Sequence, residues 1–451
     1  MKRVEWKWLI AAGLILLAAL ILESGLLAYA MYVLLGVMLL SRLLARDWLG
    51  RVTATREVDA AEAEVGDEVG VQIIVRNNGS IPIPWMLLED LLPQWALRQR
   101  PPRLTLKGRR FKLGVLRGHK ELTLKYRIEC QYRGFYQIGP LLMESGDLFG
   151  LHRRHRVETE PTFLTVFPKV VALSGYDVAS RRPIGDVRIT HRLYEDPTRI
   201  SGVREYQTGD PLNRVHWRAT ARTGLLQCKT YEATTLAGAS ILLDFHVGAY
   251  HERGEPHRSE LAVTVAVSLA NAVALLGQQV GLATNARDMA ERLKAKRKGS
   301  LTFETRTAAR EEVEEDSENT RLRPLQVQTR RGSEQFDRIR ELLARVELTD
   351  GMPFSHFVLE VMPRLPRDAS VIAVLPAVPV ETAVTLSNLA RNGFAVSVVL
   401  VMLEPAQLEK AYGRLLAENI RDVRHVNSEQ SLADLCSASL HRGNAYSMVL
   451  K

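Results

Sequence analysis

At 451 residues the chain is long enough for two or three domains with full cores. Hydrophobic residues make up 46% and charged ones 25%, an ordinary globular balance, and the net charge of +9 permits contact with an anionic surface without naming it. Three widely spaced cysteines, Cys130, Cys228 and Cys436, exclude a disulfide framework or a paired-cysteine zinc site and point to a reducing compartment.

Two apolar runs open the chain, Trp8 to Leu22 and Leu26 to Ser41, separated only by Glu23-Ser24-Gly25. As a single helix the run spans about 50 Å, too long for a ~30 Å hydrocarbon core, and places Glu23 in mid-membrane. A transmembrane helical hairpin over residues 1–48 is the expectation, with Lys7 and Arg42 snorkelling and Trp6, Trp8 and Trp48 at the interface. Lys2, Arg3 and Lys7 precede the first run and Arg42, Arg46 and Arg51 follow the second, so the positive-inside rule puts both ends in the cytoplasm. A cleaved signal peptide is the rival reading, and it lacks an A-x-A-like site followed by a polar start.

Residues 52–170 read as a β-sandwich of immunoglobulin-like type. Val69 to Val75 and Glu121 to Cys130 alternate as strands, Arg76-Asn77-Asn78-Gly79 is a turn signal, and Ile81-Pro82-Ile83-Pro84-Trp85 resists helix formation. Tyr132 to Pro140 has the look of a hairpin, and Ser145 to Gly150 closes the sheet. Its aromatic residues are expected to fill the core.

Residues 171–235 form a connecting segment whose densest part is Val203 to Tyr231. Asp210 and Pro211 signal a helix start, Asn213 to Arg222 carries cationic and aromatic groups, and Leu225 to Tyr231 reads as a strand. From residue 236 to 451 apolar strands alternate with helices. Strands are expected at Ala239 to Asp244, Val280 to Thr284, Ser370 to Leu375 and Phe394 to Met402. Helices are expected at Leu261 to Leu276, Glu334 to Val346 and Val380 to Asn392. This order makes a doubly wound α/β domain. Leu261 to Leu276, interrupted by Thr264, Ser268 and Asn271, is read as a core helix. Residues 287–331 insert Lys294-Ala295-Lys296-Arg297-Lys298 and then an acidic block from Glu311 to Asp316, the pattern of a solvated loop. With the acids so close, the basic block is not read as a nucleic-acid clamp.

The stretches YRGFYQIGPLLMESGDLFGL and REYQTGDPLNRVHWRATARTGLL resemble the bacterial family called domain of unknown function fifty-eight. The resemblance implies a protein anchored in the bacterial inner membrane, with a von Willebrand factor A-like α/β domain and a MoxR-type AAA+ ATPase as neighbour and partner. The fold class expected is therefore multidomain, α/β plus all-β, behind an N-terminal transmembrane hairpin.

In the fold so implied, a D-x-S-x-S run after the first strand offers hard oxygen ligands to Mg²⁺. Here that run is Asp244-Phe245-His246-Val247-Gly248, with His246 and Gly248 where the serines belong, and Leu375-Pro376 replaces a later Asp. Asp244 and His246 are the candidate metal residues of a degenerate site. Cys228 with His216 is the candidate for thiol chemistry, set against the commoner buried, inert cysteine. Asp210, Arg214, His216, Trp217, Arg218 and Arg222 either bind a partner or join two domains, with Trp217 plugging the seam and the arginines pairing with Glu205, Asp210 and Glu232. The chain carries no phosphate loop, HExxH or GxSxG motif. The expectation is a non-enzymatic scaffold or adaptor for the ATPase or its client. A metal-dependent receptor using Asp244 and a thiol enzyme using Cys228 are the alternatives.

Overall fold

Apolar residues around most of its circumference make Gly25–Trp48 (α1) a helix of about 36 Å. Part of that surface is uncovered by the rest of the described chain: Leu26 is 88% and Tyr29 72% exposed. Residues 13–18 of the preceding apolar run are also helical, with Leu14, Ile15 and Leu17 exposed. A computed structural model describes residues 13–18, 20–21, 25–146, 153–173, 195–207, 215–233, 238–250, 254–290, 322–367, 369–433 and 435. The link at residues 22–24 between the two apolar runs lies outside them. By its contacts the chain divides into two units, one holding Met1–Pro168 and the other Lys169–Arg287 with Arg321–Lys451.

Strands of period-two alternation build the first unit. They are β1 (Val52–Val58), β2 (Glu62–Glu64), β3 (Glu68–Asn77) and β4 (Ile83–Asp90), then, past a short helix α2 (Gln94–Arg98), β5 (Leu104–Gly108), β6 (Phe111–Leu116) and β7 (Glu121–Cys130). The remaining strands are β8 (Gly134–Ile138), β9 (Leu141–Gly146), β10 (Arg153–Val157) and β11 (Thr162–Phe167). Two four-stranded sheets, β1-β3-β7-β5 and β10-β9-β4-β6, share one core. Val71, Ile73 and Ile128 enter it from the first sheet and Met86, Leu88 and Met143 from the second. The inward face of each strand is thereby kept from water. A third sheet, β2-β11-β8, shows that Tyr132 to Pro140 is not one arm of a local hairpin. β8 pairs with β11 and β9 with β4 and β10, so the Gly139-Pro140 turn passes the chain from one sheet to another. Inside this unit Arg56 and Asp90 form an ion pair, both side chains almost inaccessible, and the Tyr126 hydroxyl donates to the same carboxylate.

The second unit begins with a two-stranded pair, β12 (Glu195–Glu205) and β13 (Gln227–Ala233), with the seven-residue helix α3 (Trp217–Thr223) between them. The α/β part follows: β14 (Gly238–Leu243), α4 (His257–Leu275), β15 (Gln279–Thr284), β16 (Leu325–Arg330), α5 (Ser333–Arg345) and α6 (Phe354–Val361). It ends with β17 (Ser370–Leu375), α7 (Val380–Arg391), β18 (Val396–Val401), α8 (Pro405–Ala417), β19 (Val423–Val426) and α9 (Glu429–Leu432). The sheet order is β16-β15-β14-β17-β18-β19, parallel except for the edge strand β16. Alternate residues of the central strands face opposite ways. Ile241, Leu243, Ile372 and Val374 lie under α4 and α5, while Leu242, Val371, Ala373 and Leu375 lie under α6, α7 and α8. Buried on both faces, such strands are continuous apolar runs.

The chain is therefore a multidomain protein with an all-β unit and an α/β unit. Among the described residues α4 is the one helix long and apolar enough to cross a membrane. Fourteen of its nineteen residues are buried, which makes it the core helix expected. β16 falls in the segment expected to be a solvated loop. Gln326 and Gln328 alternate with Val327 there, and one flank of the strand is left unpaired, so its apolar signal is thin.

Candidate functional site

The carboxyl edge of the parallel sheet is where an open α/β fold usually places a ligand, at the point where strand order reverses. β14 is that point, because the chain leaves it for β15 on one side and returns to β17 on the other. Asp244 follows β14 directly, its N–H bonded to the Val374 carbonyl at 3.1 Å, and it is 3% exposed. Asn285, at the end of β15, donates Nδ2 to Asp244 Oδ1 at 3.0 Å and accepts the Phe245 N–H at 2.6 Å. The His246 N–H reaches the same Oδ1 at 3.2 Å. Tyr250 donates its hydroxyl to the Asp244 carbonyl at 2.8 Å, and its ring meets Phe245 edge-on. Burial pushes the Asp244 carboxyl up, while the Asn285 amide and the His246 N–H hold it back.

Two strands away the edge is tied by an arginine. Arg258, in the first turn of α4 and 6% exposed, donates Nη2 to the Pro376 carbonyl at 2.9 Å and Nε to the Val401 carbonyl at 3.3 Å. Burial lowers its pKa. His425 of β19 accepts the Leu403 N–H at Nε2, 3.2 Å, and is pushed down to about 4, first by burial and then by the Arg258 charge. The strand ends are thus capped by the protein's own cations and amides.

A hard divalent cation takes six or more oxygens. The residues here do not supply them. Asp244 Oδ1 and Asn285 Oδ1 are already acceptors, and His246 Nδ1 accepts the Gly248 N–H at 3.1 Å. Gly248 offers no side-chain donor, and among the described residues no three His, Cys, Asp or Glu converge. The donor set at Asp244 and His246 does not fit Mg²⁺.

In the connecting segment the sequence folds around His216, whose Nδ1 accepts the Ala219 N–H at 3.1 Å and so caps α3. At the far end Gly224, at φ 73°, closes the helix with its N–H on the Thr220 carbonyl, a left-handed turn that glycine takes without strain. The chain then returns as β13, with the His216 N–H on the Gln227 carbonyl at 2.7 Å and Val215 bridged to Cys228. Cys228 is 1% exposed and Leu226, two residues before it, 45%. Its thiol is closed to substrate and His216 Nδ1 is committed to the helix cap, an arrangement unsuited to thiolate chemistry. Trp217 is 68% exposed and Leu225 57%. Arg218 and Arg222 are also exposed. Asp210 and Arg214 lie outside the described residues.

Asn285, Arg258 and His425 were not singled out from sequence. A lone polar residue at a strand end or before a long apolar helix carries no spacing signal. Their one legible trait is position, directly flanking or inside apolar strand and helix runs.

Fold and signature together define a multidomain protein whose α/β unit is entered through an exposed Trp-Arg helix. Residues 202–325, from the end of β12 to the start of β16, match the family described as "Protein of unknown function DUF58". Over those residues the chain is similar to that family. It is similar to the "Uncharacterized protein YeaD" of Bacillus subtilis (strain 168), 26% identical over 294 residues that cover 62% of this chain and 70% of that protein. Among solved structures, a CARDB domain from Pyrococcus furiosus, in complex with di-metal ions, shows 13% identity over 26% of this chain and 91% of that one, with a TM-score of 0.18. Salmonella alpha-2-macroglobulin reacted with methylamine shows 17% identity over 27% of this chain and 7% of that one, TM-score 0.19.

Proposed function

We propose that this is a non-enzymatic adaptor anchored in the bacterial inner membrane, whose signature helix α3 binds a protein partner. The observation that carries the proposal is Trp217, 68% exposed at the head of α3 beside Arg218 and Arg222. An exposed Trp beside arginines is the composition of an interface hot spot, and it stands inside the family match. The resemblance drawn from the sequence makes a MoxR-type AAA+ ATPase, or its client, the partner. The exposed apolar surface of residues 13–37 supports the anchor, read as a transmembrane hairpin with both ends cytoplasmic. The two sheets of the first unit on one core support an immunoglobulin-like sandwich, and the sheet of the second unit supports a von Willebrand factor A-like domain without its metal.

A cross-linked pull-down of the full chain from native-host membranes tests this. Wild type is expected to recover an AAA+ ATPase, and Trp217→Ala to recover it about 30-fold less at unchanged protein level, as for a hot spot of about 2 kcal/mol. Recovery of no AAA+ ATPase by wild type, or equal recovery by the variant, would reject the proposal.

A further inference from the structure

Edge strands in soluble proteins are usually blunted by charge or bulges. β6 is an edge strand of its sheet, and it is not blunted on one face. Phe111, Leu113 and Val115, at i, i+2 and i+4, are 53%, 65% and 60% exposed, while Leu116 on the opposite face is 1% exposed in the core. Scattered apolar residues on a surface need no explanation, but three in register on one strand make a patch.

The surroundings are cationic. Between Pro101 and Lys120 the sequence holds seven Lys/Arg and no Asp/Glu. Lys107 is tied to Glu68, and Arg110 lies 3.8 Å from buried Glu89. Arg109 and Arg117 are exposed beside the apolar face, while Lys112, on the opposite side of the strand, donates to the Thr123 carbonyl at 2.7 Å. A protein partner of acidic character could meet the cations, but it would leave the position of the patch in the chain unaccounted for. Helix α1 ends at Trp48 and β1 starts at Val52, so at most three residues, roughly 10 Å, separate the anchor helix from the sheets. α1 also approaches β9, which belongs to the same sheet as β6. Attraction of Lys and Arg to anionic lipid acts only within about a Debye length, and this tether starts the all-β unit within that range of the end of α1.

We infer that the exposed face of β6 is a second membrane contact, with Phe111, Leu113 and Val115 seated among the headgroups and Arg109 and Arg117 on anionic lipid phosphates. This rests on the membrane anchor proposed above. It fixes the first unit against the bilayer and leaves α3 of the second unit for a partner.

The test uses the full chain in lipid nanodiscs, with Leu113→Cys carrying an environment-sensitive dye and Glu57→Cys on β1 as the control site. In discs containing anionic lipid, nitroxide-labelled lipid is expected to quench the dye at 113 several-fold more than at 57. The difference should vanish in purely zwitterionic discs and in an Arg109→Glu, Arg117→Glu double variant. Equal quenching at the two sites, or a cross-link joining 113 of two copies in place of quenching, overturns the inference while the anchor stands. Release of the full chain from native membranes by alkaline carbonate removes the anchor and this inference with it.

Discussion

Asp90 is fully inaccessible and shared by Arg56 and Tyr126, so its removal leaves a guanidinium buried without its counter-charge. Breaking a buried pair from one side typically costs 3–5 kcal/mol, and Asp90→Ala is expected to lose about that much in urea unfolding of the first unit. His425 gives a pH signature. Its folded pKa is about 4 against the ordinary 6.5, so the unfolded chain binds the extra proton first as pH falls. The stabilisation is full above pH 6.5 and is lost on acidification toward 4, by roughly 3 kcal/mol at most. His425→Gln keeps an acceptor for the Leu403 N–H. Its melting temperature should fall less than that of wild type over that window. Asp244 was legible from its place after an apolar strand. Its partner Asn285 was not, because the pairing exists only once β14 and β15 lie side by side.

At the scale of elements, β16 is the informative case. It pairs with β15 through a register shift near Gly281, and a Cβ at Gly281 would stand 2.7 Å from the Thr329 Cα and backbone nitrogen. Gly281→Ala should therefore detach this edge strand, costing about 1–3 kcal/mol. Hydrogen exchange is expected to show lost protection confined to residues 325–330, and protection spread across β14 and β17 would contradict that placement. The central strands were readable as apolar runs, with Ser370–Leu375 found at its expected limits. α6, α8 and β19 were not read. The Gly139-Pro140 turn misled because turn chemistry says that the chain reverses, and only the partner strands say into which sheet. The cationic cluster of the signature was visible in sequence, but the exposure of Trp217 depends on how His216 and Gly224 bound a helix of only seven residues.

For the whole molecule, one account joins the parts. In the arrangement proposed, an apolar N-terminal helix and the β6 face hold the all-β unit to the bilayer, and the α/β unit presents α3 to a partner. The carboxyl edge of its sheet is tied internally by Arg258, Asn285 and Asp244. The most direct measurement is a photo-cross-linking residue placed at position 217 of the full chain in intact cells, read by mass spectrometry. The account predicts adducts dominated by one protein, an AAA+ ATPase or its client. Adducts only within the chain itself, or none above those from a site on β1, would show that Trp217 is covered by its own molecule or by nothing and would contradict it.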